Sequence, residues 1–341
     1  MTSHVVPHTQ QAIVQSHYGA VRDVLALSEV VPVRAPGPRE VQVHVRAAAV
    51  NPIDWQMIEG NRRLIARRRF PFTPLFDLAG VVTAVGDQVT SFRLGDRVHA
   101  DNEIDGGGAS EYVNVSVELL AHAPAGLDFA ESAALPLAAQ IAMTCLDRGQ
   151  VAAGTRVAVI GASGGVGHLA VQMARAAGAF VVGVSSARNQ EFVRSMGADE
   201  VIDRNETDVS SSFGADSFDV VIDCVGGREQ WIQAQRVLRP GGRFVTIARD
   251  EDGVVTLASA VQLASTIAAR RLRGAGPRGT KYIPVFLKAS GALLRRVNEL
   301  VDDGRVRVHL SRSFPLTLEG VNAAIDESRA GRATGKLVLQ R

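Results

Sequence analysis

The stretch Val157-Ala-Val-Ile-Gly-Ala-Ser-Gly-Gly-Val-Gly-His168 decides how this chain is read. An apolar run suited to a buried strand enters a glycine-rich turn, and the apolar-periodic run Leu169 to Gly178 then opens a helix. Gly161, Gly164 and Gly167 stand at G-x-x-G-x-x-G spacing, a variant of G-x-G-x-x-G. Glycine at such places lets backbone N–H groups approach a pyrophosphate, and the positive end of the following helix stabilises its charge. Strand, turn and helix in that order are the context in which a glycine motif points to a dinucleotide.

The next strand selects among dinucleotides. Phe180 to Val184 is apolar and ends in Ser185-Ser186-Ala187-Arg188 rather than in Asp or Glu. An acid there would bind the ribose 2′-hydroxyl of NAD and repel a 2′-phosphate. Small hydroxyls and an arginine suit the phosphate. Arg204, just past the following strand, is placed to reach the same group. The expected cofactor is NADPH.

Composition narrows the class. The 341 residues favour two domains, and 46% hydrophobic with 21% charged residues is ordinary for a globular protein. A formal net charge of +2 makes no general case for nucleic acid. No run of 18 apolar residues exists, so no transmembrane segment is expected. Residues 1–10 lack the basic start and apolar stretch of a signal peptide. Cys145 and Cys224 lie in apolar segments and read as buried thiols of a reducing compartment, so the expected location is cytoplasmic.

From residue 11 to about 124 the pattern is one of short strands broken by turns, among them Ala12 to Gln15, Val41 to Val50, Ala79 to Val85, Arg97 to Ala100 and Glu111 to Val115. Such density predicts a barrel-like β domain. From Thr155 strands alternate with helical segments: Arg156 to Ile160, Phe180 to Val184, Glu200 to Ile202, Asp219 to Cys224 and Arg243 to Ala248. That alternation predicts βαβ units and a parallel sheet. A helical stretch from Ile283 to Val301 follows, then strands over Val306 to Leu310 and Lys336 to Leu339 that return to the first domain. Arg62-Arg63-Leu-Ile-Ala-Arg67-Arg68-Arg69 reads first as a solvated helix face, with an anionic substrate, a carrier protein's phosphopantetheine arm or a membrane surface as the sharper alternatives.

Asn51-Pro-Ile-Asp-Trp55, Asp77-Leu-Ala-Gly80, Gly95-Asp-Arg-Val98, Gly108-Ala-Ser-Glu-Tyr112, Gly161 to His168, Gly197-Ala-Asp199 and Gly331-Arg-Ala-Thr-Gly-Lys336 together carry a family resemblance. Over nearly its whole length the chain resembles zinc-free medium-chain dehydrogenase/reductases of the quinone oxidoreductase branch. Within that branch it is most like the chloroplast envelope quinone oxidoreductase homologs and alkenal/enone reductases. The resemblance implies an α/β Rossmann domain, a doubly wound parallel sheet, at 137–308. It implies a GroES-like β-barrel domain from 1–136 with 309–341. It also implies cofactor contacts from Ser163, Gly164, Gly165, Val166, Ser185, Arg188, Arg204, Val225, Arg332 and Lys336. Asn51, Asp54 and Trp55 are the candidate catalytic residues: Asn51 to donate to the substrate oxygen or the nicotinamide ribose, Asp54 to orient it, and Trp55 as an apolar wall. The bland alternative makes Asn51-Pro52 a turn and Asp54 a helix cap.

Three positions depart from the family pattern. Ile141 stands where a threonine often approaches the nicotinamide, with Gln140 or Thr144 as possible substitutes. Arg204 replaces a tyrosine near the 2′-phosphate. Gly60-Asn61-Arg62 stands where some quinone reductases carry a tyrosine. Zinc-dependent relatives take a cysteine and a His-Glu pair as ligands, and here those places hold Asn51 and Phe76-Asp77. No C-x-x-C exists, and two distant cysteines cannot complete a structural site. With no metal expected, hydride addition to a conjugated carbonyl is favoured over alcohol oxidation.

The expected function is therefore NADPH-dependent reduction of an enone, enal or quinone, a small-molecule substrate. A trans-acting enoyl reductase or reductive cyclase of natural-product synthesis is the second reading. A low-turnover NADPH-binding structural or regulatory protein is the third. Arg271-Leu-Arg-Gly274 reads as an edge strand, and the resemblance implies that such an edge pairs across a two-fold axis into a homodimer; the alternative is a monomer whose edge is protected by its arginines, Gly274 and Pro277.

Overall fold

A computed structural model describes residues 6–64, 66–247, 256–274 and 278–341. In chain order the strands are β1 (Thr9–Gln15), β2 (Leu25–Pro32), β3 (Glu40–Val50), β4 (Asp77–Val85), β5 (Arg97–Asp101), β6 (Tyr112–Ser116) and β7 (Leu120–His122). They continue with β8 (Arg156–Ile160), β9 (Phe180–Ser185), β10 (Glu200–Asp203), β11 (Phe218–Asp223), β12 (Leu238–Thr246), β13 (Lys281–Pro284), β14 (Leu310–Pro315) and β15 (Lys336–Gln340). Residues 1–140, 288–302 and 308–341 form one compact unit, and residues 141–287 with 303–307 form another.

The first unit is built on a sheet ordered β14-β15-β3-β4-β5-β7, with β6 paired to β3 and β1-β2 as a separate ribbon. Pairing is antiparallel except between β14 and β15. Val41, Val43 and Val45 alternate along β3 and are fully buried with Leu78, Val98 and Leu120, the period-2 pattern of a strand with one face in the core. Helix Gly291–Asp302 belongs to this unit, although the boundary 137–308 assigns it to the other. The reason is close packing. The Gly291 N–H donates to Glu118 O at 2.6 Å, and a Cβ on Gly291 would lie 2.3 Å from Leu120 O.

The second unit is a six-stranded parallel sheet in the order β10-β9-β8-β11-β12-β13. Counted from its first strand, that order is 3-2-1-4-5-6, the Rossmann arrangement, with its switch point between β8 and β11. Trp231, Phe244 and Tyr282 pack edge-to-face at 5.4 and 5.2 Å from the indole, which makes Trp231 a core residue.

Several expectations are corrected. Ile283 and Pro284 belong to β13, not to a helix, because Lys281–Pro284 completes the parallel sheet beside β12. The strand expected over Val306 to Leu310 instead begins at Leu310. Arg271–Gly274 is the last turn of helix Leu257–Gly274, not an edge strand, since the alanine-rich run before it favours helix. Ala248 lies outside the described residues. The arginine run is not a helix face: Gly60, in the left-handed region at φ 81°, follows helix Pro52–Ile58 and ends it. Within that run Arg68 is buried, its guanidinium 3.6 Å from the centre of the Phe72 ring. Among the described residues no helix is long and apolar enough to cross a membrane.

Candidate active site

Register brings the nucleotide-binding candidates of the second unit to one edge of its sheet. Ile160 pairs with Val184 and with Asp223, Ser185 with Asp203, and Asp223 with Thr246. Gly161, Ser186, Arg204 and Cys224 therefore leave the sheet side by side at its carboxyl edge, beside the switch point. The three glycines serve different ends. Gly161 lies in the left-handed region at φ 79°, and the N–H groups of Gly161 and Ala162 both donate to Val184 O, at 3.1 and 3.0 Å. A Cβ on Gly167 would stand 2.1 Å from Gly161 O, so the helix Gly167–Ala176 begins directly against the turn. A Cβ on Gly164 would meet only ordinary contact, at 3.4 Å from the same oxygen. Its bareness is not required by the protein's own packing, which fits a backbone kept open toward a phosphate. The cradle thus suits a dinucleotide.

Ser163, Gly164, Gly165 and Val166 are half-buried in this turn, and Ser163 Oγ accepts from Asn189 Nδ2 at 3.0 Å. Ser185 is buried, and its Oγ donates to Ser186 O at 3.3 Å. Arg188 and Arg204 are exposed, and the Arg204 N–H donates to Ser185 O at 2.8 Å, which ties the two chain segments together. Val225 is half exposed in a turn that sequence reading did not explain. Asp223 organises it: Oδ1 accepts from the N–H groups of Val225 and Gly226 at 3.0 and 2.9 Å, and Oδ2 accepts from Thr246 Oγ1 at 2.9 Å. An acid closing an apolar strand just before Gly226-Gly227 was the available signal. Arg332 is exposed and lies in the first unit.

The first unit holds a buried polar cluster at the end of β3. Asp77 pairs with Ala49 across β3 and β4, and Leu337 pairs with Val50 across β15 and β3, so Asp77 and Lys336 flank Asn51. Asn51 caps helix Pro52–Ile58, with proline at its first position, where no N–H is needed. Asn51 Nδ2 donates to Asp77 Oδ2 at 2.9 Å, and Lys336 Nζ donates to Asn51 Oδ1. Lys336 Nζ also lies 3.5 Å from Asp77 Oδ2, while Asp77 Oδ1 accepts from the Leu137 N–H at 2.8 Å. Asp54 is the third helical residue rather than the cap. Its carboxylate accepts from the Asn51 N–H at 2.7 Å and from the Phe76 N–H at 3.2 Å.

Burial sets the electrostatics. Desolvation pushes the Asp54 carboxyl up to about 7; the N–H groups of Asn51 and Phe76 and the charge of Lys336 oppose that rise, and Asp77 adds to it. Burial also raises Asp77, against the pull of Lys336 and of the Asn51 amide. Trp55 packs against the core, with the Arg329 guanidinium 5.1 Å from its ring. The oxygen of Gln140, a candidate substitute for the missing threonine, is taken by the Ser290 N–H at 2.8 Å.

Zinc does not fit this donor set. An amide, an aromatic ring and one carboxylate occupy the ligand places, and the Lys336 ammonium already sits beside Asp77. Among the described residues no three His, Cys, Asp or Glu side chains are grouped to hold a metal ion.

Residues 37–125 match the alcohol dehydrogenase GroES-like domain, and residues 196–339 match the zinc-binding dehydrogenase family. The chain is 32% identical to 2-methylene-furan-3-one reductase of Solanum lycopersicum over 99% of its own length and 81% of that protein. It is also 32% identical to the chloroplast envelope quinone oxidoreductase homolog of Arabidopsis thaliana, over 91% and 92%. Among solved structures, the quinone oxidoreductase of Coxiella burnetii superposes with a TM-score of 0.81 at 26% identity, covering 97% of this chain and 99% of that one. The β-rich unit is thus GroES-like and the parallel sheet a Rossmann domain, as the sequence resemblance implies.

Proposed function

This chain belongs to the medium-chain dehydrogenase/reductase superfamily, in its quinone oxidoreductase-like branch, and on that premise we propose that it is an NADPH-dependent reductase of activated carbon–carbon double bonds or quinones. Ser163 to Val166, Ser185, Arg188, Arg204 and Val225 hold the cofactor in the Rossmann unit. The 2′-phosphate falls to Ser185, Arg188 and Arg204, because β9 ends in a serine where an acid would exclude it. When bound, NADPH supplies the hydride.

The observation that carries the reaction class is the fixed Asn51 carboxamide. An amide nitrogen has two hydrogens, and Asp77 accepts one of them. In this reading the other is offered to the carbonyl oxygen of the substrate, where negative charge gathers as the β carbon is reduced. A preorganised donor of that kind contributes about 2.7–4 kcal/mol to the transition state. An enone or quinone needs little more than such a donor and correct placement, since its β carbon or carbonyl is already electrophilic. Asp54 keeps the turn at Asn51 in shape through its bond to the Asn51 N–H.

We also propose a homodimer; with Arg271–Gly274 helical, the proposal moves from that segment to the outer edge of β13, the last strand of its sheet among the described residues. Light scattering at micromolar concentration is expected to give twice the chain mass; a single chain mass would contradict it. Steady-state NADPH consumption over a panel of enones, quinones, enoyl thioesters, a saturated ketone and a primary alcohol tests the function. Turnover of enones or quinones alone supports the proposal. Preference for enoyl thioesters moves it to natural-product synthesis, and turnover of the saturated ketone overturns it.

A further inference from the structure

We infer that Lys336 is not a ligand of the cofactor but a positioning residue that strengthens the Asn51 carboxamide as a donor and, with Asp77, fixes its direction. This rests on the proposed role of Asn51 for its catalytic half only. The resemblance carried by the Gly331 to Lys336 motif places Lys336 among the expected cofactor contacts. The structure buries the ammonium among side chains of its own unit. Lys336 is 3% exposed, donates to Asn51 Oδ1, and lies 3.5 Å from Asp77 Oδ2.

The chemistry of the three groups leaves one arrangement. An ammonium can only donate, and an ionised carboxylate can only accept. Lys336 therefore demands the carboxamide oxygen and Asp77 the nitrogen, so the amide cannot turn over without losing both bonds and stranding two buried charges. The charge on Lys336 also draws electron density toward Oδ1, which makes the remaining N–H a stronger donor. Lys336 and Asp77 lie 259 residues apart and meet only because β4 and β15 flank β3 on its two sides.

The test compares wild type with K336M and with K336M/D77N, the double variant removing the bare buried carboxylate that K336M leaves. Three quantities are read: the NADPH dissociation constant from nicotinamide fluorescence, kcat and KM for an enone, and the Asn51 side-chain amide signals by NMR. The dissociation constant is expected to stay within about twofold, whereas loss of a charged phosphate contact would raise it about tenfold or more. With it unchanged, kcat is expected to fall about tenfold to a hundredfold, as when a contact is misaligned at the reacting centre. The Asn51 amide hydrogens are expected to exchange faster and shift. A weakened NADPH affinity with kcat kept in either folded variant overturns the inference. An unchanged Asn51 amide signal overturns it as well, and that readout stands even if wild type reduces no enone.

Discussion

The two polar centres of this molecule are built on opposite terms. In the Rossmann unit the turn at Gly161 to Val166 is made largely of backbone: mostly half-buried, with three glycines among its six residues, and shaped in part by what a Cβ would strike. In the GroES-like unit the cluster of Asn51, Asp54, Asp77 and Lys336 is made of side chains, each no more than 3% exposed and each tied to another by hydrogen bonds. A backbone cradle is broken by volume. A buried polar cluster is broken by leaving a charge or an amide unpartnered, so equally small substitutions fail in the two places for different reasons.

The sharpest way to break the comparison is within the cradle. Gly167→Ala places a methyl 2.1 Å from Gly161 O and is expected to abolish NADPH binding and lower the melting temperature. Gly164→Ala, whose new methyl would be 3.4 Å from the same oxygen, is expected to keep the melting temperature and lose only cofactor affinity. Equal melting temperatures for the two variants would mean that the turn is not close-packed as described.

Next in size is Asn51→Ala. It is expected to lower kcat by about 10²–10³, the cost of one preorganised oxyanion donor, while NADPH affinity changes little. If both fall together, Asn51 holds the fold and not the transition state.

Arg188→Ala follows. Loss of a charge-assisted contact costs about 1.5–3 kcal/mol, so NADPH affinity is expected to fall while NADH affinity stays nearly unchanged. The parent protein is expected to prefer NADPH over NADH about tenfold or more. Equal losses for both cofactors would remove Arg188 from the phosphate site.

What was legible in the sequence divides along the same line. The glycine turn could be read because strand, turn and helix are contiguous and spacing alone fixes which residues meet. The alternation from Thr155 onward likewise gave the parallel sheet, and β8 was read to the residue. The side-chain cluster resisted reading because its members come from distant segments. Asn51 and Asp54 stood out as candidates, but Asp77 entered only within a family mark and at a zinc-ligand place, and Lys336 only within a family mark and as an expected cofactor contact. Nothing local in Gly331 to Lys336 says that β15 lies against β3. Arg271–Gly274 and β13 were misread for a related reason: a segment of four residues supports either period, and what it joins decides, a helix already running in the first case and the strand β12 in the second.

The smallest expected effect is a pH slope from the side-chain cluster. The folded chain holds the Asp54 proton up to about pH 7, whereas an unfolded aspartate releases it near 3.8. The folded state therefore binds more protons between those values, and stability contributed by this group is full below the lower one and lost as pH rises through the upper. Asp54→Asn is expected to flatten the fall in stability between pH 4 and 7, measured by denaturant unfolding at several pH values. A slope identical to wild type would place the Asp54 proton outside that window.

The central claim is that hydride goes to the carbon β to an activating carbonyl. The direct measurement supplies 4-deuterated NADPH and an enone, and locates the label in the product by NMR. Deuterium at the β carbon of a saturated ketone is the expected result. Deuterium at the carbonyl carbon of an allylic alcohol would contradict the claim, even with the fold and the cofactor unchanged.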